Sequence, residues 1–129
     1  MEMRYRYFIN PVETVKIIMS YTVGEGDIVI DCTTGNGNDT LLLAKLVGAK
    51  GKVYGFDVQY EALKATKDRL EIEGLEERVV LINDGHENID KYIFEEINFI
   101  VYNLGYLPKG NKEIKTKATT TLESIKKAL

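Results

Sequence analysis

Tryptophan is absent from this 129-residue chain, and cysteine and histidine occur once each, at Cys32 and His86. One cysteine cannot form an internal disulfide, which fits a reducing compartment, and a lone thiol with a lone imidazole cannot build a cysteine-rich zinc site. No metal site is therefore expected. No apolar run approaches the roughly 20 residues of a membrane-spanning helix, and the opening MEMRYRYF lacks the apolar core of a signal peptide. A cytoplasmic location without membrane contact is the expectation. Positive charge is not in excess either: the net charge is −3, so no global basic field advertises nucleic acid, although a local patch remains open. With two prolines and 44% hydrophobic residues, the composition is that of an ordinary globular chain, and the length predicts a single domain over residues 1–129.

What is present centres on Asp27 to Thr40, DIVIDCTTGNGNDT. An apolar run, Ile28 to Ile30, ends in the carboxylate of Asp31 and breaks at Gly35 and Gly37 before a leucine-rich segment begins. This reads as strand, glycine turn and helix start, the place in an open parallel sheet where a nucleotide-like ligand meets backbone amides. Upstream, Asn10-Pro11-Val12-Glu13 reads as a capped helix start, with Val15, Ile18, Met19 and Thr22 on one face. Downstream, Thr40, Leu43, Ala44 and Val47 make a helical face. Lys52 to Asp57 is a second strand, and Ala62, Leu63, Thr66 and Leu70 define the next helix, stopped at Gly74. Val79 to Asn83 is a third strand, followed by a short helix around Ile89 and Ile93. Phe99 to Tyr102 is a fourth strand, and Ala118, Leu122, Ile125 and Leu129 mark a last helix.

The alternation predicts an α/β fold, a Rossmann-like open and mainly parallel sheet with helices on both faces and strand order 3-2-1-4. Asp31, Gly35, Gly37 and Asn103 then converge on the crevice between strands one and four. The fourth strand is apolar on both faces, yet nothing after it supplies a second neighbour. Truncation after the last helix is the preferred explanation, and a second copy of the chain covering that edge, a homodimer, is the alternative.

Asp57 lies 22 residues beyond Gly35, the distance at which an acid closing the second strand holds ribose hydroxyls in both dinucleotide and S-adenosylmethionine sites. The residues between decide the cofactor. A dinucleotide turn needs a third small residue where Thr40 stands, and Asp39 adds a carboxylate where a diphosphate would approach. S-adenosylmethionine has no phosphate, and its ammonium group suits acids, so it is favoured over NAD.

Asn103 opens NLGYLP, which resembles the Asn-Pro-Pro-Tyr motif of amine and base N-methyltransferases, with Leu104 and Gly105 in place of the two prolines. Taken together, DCTTGNGNDT, YGFDVQ, GHE and NLGYLPKGNK resemble the bacterial family once labelled rRNA methylases and since recognised as tRNA 5-aminomethyl-2-thiouridine methyltransferases. The resemblance covers most of the chain from Asn10 onward. It implies S-adenosylmethionine as cofactor and tRNA as substrate. Asn36 and Asn38 are then expected at the methionine end of the cofactor, Asp57 at the ribose with Gln59 beside it, and Gly85 with His86 flanking the adenine. Asp31 either holds the ammonium group or satisfies turn amides. Asn103 is expected to orient the amine together with the Leu104 carbonyl, and Tyr106 to stack on a base. Lys109, Lys112, Lys115 and Lys117 either follow RNA phosphates or form a solvated loop. Cys32 is expected to be a small buried core residue. The alternatives are a catalytically incomplete cofactor-binding core, a methyltransferase acting on rRNA, another nucleic acid or a small amine, and an NAD-linked oxidoreductase.

Overall fold

The computed structural model describes residues 11–102, with side chains from Lys16 onward. Helix α1 (Pro11–Thr22) leads into β1 (Ile28–Asp31), α2 (Asn38–Val47), β2 (Lys52–Phe56), α3 (Tyr60–Glu73), β3 (Val79–Ile82) and β4 (Phe99–Val101). The strands form one parallel sheet in the expected order β3-β2-β1-β4. Val29 lies beside Val53 on one side and Phe99 on the other, and Asp31 beside Gly55 and Val101. Asn98 sets the last of these alignments, because its backbone N–H donates to the Ile28 carbonyl while its side-chain oxygen accepts from the Ile28 N–H, both at 2.8 Å.

Strand alternation sends successive side chains to opposite faces and so divides the core in two. Val29, Val53 and Val101 pack against Met19 of α1, Leu43, Ala44 and Val47 of α2, and Leu70 of α3. Ile30, Tyr54, Phe56 and Ile82 face the other way and are covered by Ile89 and Ile93. Right-handed crossovers require this division: the β1–β2 and β2–β3 connections run in one direction along the sheet and the β3–β4 connection runs back. Full burial of a residue such as Phe56, Leu43 or Ile30 stabilises the fold by about 1.5–3 kcal/mol each.

Three local expectations change. Ile18 and Thr22 are exposed, not buried, because α1 meets the core along the Met19–Val23 line, and Ile17 and Tyr21 share their exposure. The segment expected as a short helix around Ile89 and Ile93 is a 3₁₀ turn over His86–Lys91, kinked at Asn88, with Ile93 buried just beyond it. Asp84 holds that turn tight by accepting from the Gly85 N–H, the Asn88 amide and the Tyr92 hydroxyl. The fourth strand is less enclosed than expected. Only Val101 is buried, and among the described residues β4 pairs with β1 alone. No helix among the described residues is long and apolar enough to cross a membrane. Asn10, the residues from Asn103 onward and the last predicted helix lie outside the described residues.

Candidate cofactor site at the carboxyl end of the sheet

Beyond Asp31 the chain divides its bonds between the two neighbouring strands. Cys32 donates its N–H to the Val101 carbonyl, and Thr34 donates to the Phe56 carbonyl. The loop therefore opens over the switch point between β1 and β4, where open α/β sheets receive ligands. Its two glycines do different work. A Cβ at Gly35 would meet only the Thr33 carbonyl at 3.9 Å, so space above it is open to an approaching ligand. Gly37, at φ +89, faces inward, and a Cβ there would stand 2.7 Å from the Thr66 hydroxyl of α3. One glycine admits a ligand and the other admits a helix.

Asp57, the residue after β2, ties the loops together. Its carboxylate accepts the Gly35 N–H at 2.8 Å and the Gln59 N–H at 2.9 Å, and its carbonyl accepts the Asn83 amide at 3.0 Å. The loops after β1, β2 and β3 thus meet on one residue. Val58, next in the chain, is 71% exposed and offers an apolar face to a flat ring. Gln59 is exposed beside it.

Asp31 is fully buried, and its two oxygens accept from the Thr33 N–H at 3.1 Å and the Thr40 hydroxyl at 2.7 Å. This is the arrangement of a carboxylate that satisfies its own turn. Burial pushes its pKa up to about 7, with smaller contributions from Asp39 and Asp57, against the lowering effect of the two hydrogen bonds. Asp39, in the first turn of α2, is also buried and is also shifted upward, mainly by desolvation. Asp31 has no oxygen left for a ligand, whereas Asp39, at the amino end of α2 with Lys16 as its charge partner, makes that end a poor place for a diphosphate.

A raised folded-state pKa means that the folded chain holds the Asp31 proton more tightly than the unfolded one. On this account stability is fullest below the ordinary carboxyl value of 3.8 and is lost as pH rises towards about 7. Asp31→Asn is expected to remove that loss, which is on the order of 4 kcal/mol across the window. Urea unfolding at pH 4.5 and pH 7.5 tests this, and a variant with the wild-type pH slope would refute it.

His86, 7% exposed, is held with Nδ1 3.1 Å from the Cys32 carbonyl. A carbonyl can only accept, so Nδ1 carries the proton. The ring meets Tyr102 edge to face at 5.9 Å. These contacts place His86 on the β4 side of β1, whereas Asp57 and Val58 follow β2 on the other side. Gly85 is buried at the head of the 3₁₀ turn. Cys32 is a buried core residue, as expected from the sequence, and that burial, with Asp31 beside it, raises its thiol pKa. The side-chain oxygens of Asn36 and Asn38 are engaged within the site: Asn36 caps the Asn38 N–H at 3.1 Å, and Asn38 accepts from Arg69 at 2.9 Å. Asn103, Leu104, Tyr106, Lys109 and Lys112 lie outside the described residues.

Sequence reasoning missed Arg69, Val58 and Asp84. Only the position of Val58, directly after the acid that closes β2, offered a signal.

The donor set fits an adenosyl cofactor that lacks phosphates. It combines an open Gly35, a carboxylate that closes β2 beside it, and the exposed apolar face of Val58.

Known structures define the class first. An S-adenosylmethionine-dependent O-methyltransferase of Thermotoga maritima, only 23% identical, superposes with a TM-score of 0.61 over 93% of this chain, so the two share a Rossmann-like fold. The family described as "Putative rRNA methylase" matches residues 53–129, and the chain belongs to it. A Clostridium thermocellum protein described in the same words is 41% identical with a TM-score of 0.79, over 92% of this chain and 61% of its own. A Streptococcus mutans "putative methyltransferase", solved in complex with SAH, is 42% identical with a TM-score of 0.76, over 92% of this chain and 64% of its own. The chloroplastic tRNA (mnm(5)s(2)U34)-methyltransferase of Arabidopsis thaliana is 38% identical over 126 residues, covering 90% of this chain and 46% of the plant protein. The chain thus spans about half the length of that curated relative.

Proposed function

We propose that this chain carries the S-adenosylmethionine site of a methyltransferase acting on the 5-aminomethyl group of a tRNA wobble uridine. The observation that carries the reading is the Asp57 carboxylate tied to Gly35 across a glycine turn open to a ligand. The SAH complex of the Streptococcus mutans relative supports the cofactor, and the plant relative supports the acceptor. The cofactor supplies a methyl group on a sulfonium, already activated for in-line displacement. The chain's own contribution is alignment. Asp57 orients the ribose, Val58 and Gly85 border the adenine, and the turn at 35–38 seats the methionine end above Asp31 and Asp39. His86 and Tyr102 wall the β4 side, from which Asn103 follows directly in sequence. Asn103 and the Leu104 carbonyl orient the amine, with Tyr106 against the base and Lys109 and Lys112 at RNA phosphates. The site of action is cytoplasmic.

An NAD-linked oxidoreductase is the reading to test against. It is disfavoured because Thr40, where the third small residue would stand, is fully buried and committed to Asp31.

Calorimetry is expected to show binding of S-adenosylhomocysteine and none of NAD. Labelled methyl transfer to tRNA lacking the terminal methyl then tests catalysis. Asn103→Ala is expected to keep cofactor affinity while turnover falls by about 100-fold or more, as for loss of a group that stabilises developing charge. Equal loss of affinity and turnover would instead place Asn103 in the cofactor site.

A further inference from the structure

We infer that Arg69 is a positioning residue for the ligand at the glycine turn: from α3 it holds residues 36–38 in their receiving conformation from behind, without touching the ligand. The inference rests on the proposed methyl-donor reading for the identity of the ligand, and on the geometry alone for the positioning.

A single guanidinium nitrogen, Nη1, donates to the Asn36 carbonyl at 2.7 Å and to the Asn38 side-chain oxygen at 2.9 Å. It therefore bridges both sides of Gly37. Thr66, three residues earlier on the same face of α3, is fully buried against the position a Gly37 side chain would occupy. Thr66 sets how deeply the turn can sink, and Arg69 sets its orientation. Asn36 completes the brace by accepting the Asn38 N–H. Residues 36–38 are thus secured from the α3 side, while the space above Gly35 stays open.

Neither acceptor of Arg69 is a carboxylate. Glu73, one turn further along α3 and so within reach of Arg69, pairs instead with Lys45 of α2 at 3.0 Å. Arg69 is therefore committed to neutral acceptors whose only common feature is the turn they belong to. A planar guanidinium with several donors in fixed directions can serve a carbonyl and an amide oxygen together, which a lysine ammonium reproduces only in part. A ligand seated on the turn meets backbone amides whose directions were set before it arrived, so no ordering cost falls on binding.

The test uses the wild-type chain with Arg69→Met and Arg69→Lys. Amide resonances of Gly35 and Gly37 are recorded without ligand, affinity for S-adenosylhomocysteine is measured by calorimetry, and thermal melting serves as the control for folding. In Arg69→Met the two glycine resonances are expected to shift or broaden and Kd to rise about tenfold, with partial recovery of both in Arg69→Lys. Wild-type glycine resonances and wild-type affinity in Arg69→Met would overturn the inference. So would a lowered melting temperature with both readouts unchanged, which is what a merely structural contact produces. If the wild-type chain does not bind S-adenosylhomocysteine, the methyl-donor reading falls, and the glycine resonances of the ligand-free variants still decide the role of Arg69.

Discussion

Asp57→Ala is expected to abolish measurable binding of S-adenosylhomocysteine and to destabilise the chain at the same time. The Asp57 carboxylate accepts backbone N–H groups from Gly35 and Gln59, one in the loop after β1 and one at the head of α3. Hydrogen bonds to a charged group contribute about 1.5–3 kcal/mol each. Asp57 is half-buried, so solvent screening brings the combined effect on stability to about 2–4 kcal/mol. Binding falls further than stability, because the same change removes the partner of the ribose hydroxyls and frees the loop that meets the methionine end. A loss of more than about 100-fold in affinity corresponds to two such bonds. Asp57→Asn separates the two effects. It keeps one acceptor oxygen but turns an NH₂ towards a backbone N–H, so affinity should fall nearly as far while melting temperature falls less. Retained affinity in Asp57→Ala would mean that the ligand does not lie across the β1 and β2 loops.

Gly37→Ala is expected to be the most destabilising single methyl addition in the site, by about 2–5 kcal/mol. Two costs combine. A φ of +89 is left-handed backbone that an L side chain adopts only at about 1–2 kcal/mol, and the new Cβ would lie 2.7 Å from the Thr66 hydroxyl and 3.0 Å from its methyl, an overpacking that typically costs 1–3 kcal/mol. For a chain of this size 3 kcal/mol lowers the melting temperature by roughly 10 °C. Adding Thr66→Ala to Gly37→Ala should recover the steric part and leave the backbone part, so the double-mutant cycle shows a favourable coupling. A Gly37→Ala chain that melts with wild type would show that α3 does not press on the turn.

How far the sequence alone could reach follows from which interactions are local. β1 was legible because three apolar residues run into an acid and two glycines, a pattern that depends only on neighbours in the chain. The strand order followed from the alternation of elements and the handedness of crossovers, with no knowledge of side-chain contacts. The acid closing β2 was legible from spacing, since a strand and a crossover helix occupy a nearly constant length. The turn His86–Lys91 was not, because the helical spacing of Ile89 and Ile93 says nothing of the Asp84 bonds that tighten the chain there. Nor was the exposure of Ile18, since an apolar helix does not disclose which of its rows meets the core.

The sequence by itself determined the fold class, the strand order, and the acids at the ends of the first two strands. Tertiary structure alone decided how those residues are used. It brought the Thr40 hydroxyl onto Asp31, turned His86 towards Cys32 and Tyr102, joined Asp57 to Gly35, and brought Arg69 from α3 onto the glycine turn. The physical reason is the range of the interactions. Periodicity and turn chemistry act over a few residues and are written in order along the chain, whereas hydrogen-bond partners and burial depend on groups 9 to 54 positions apart, which meet only when the sheet has formed.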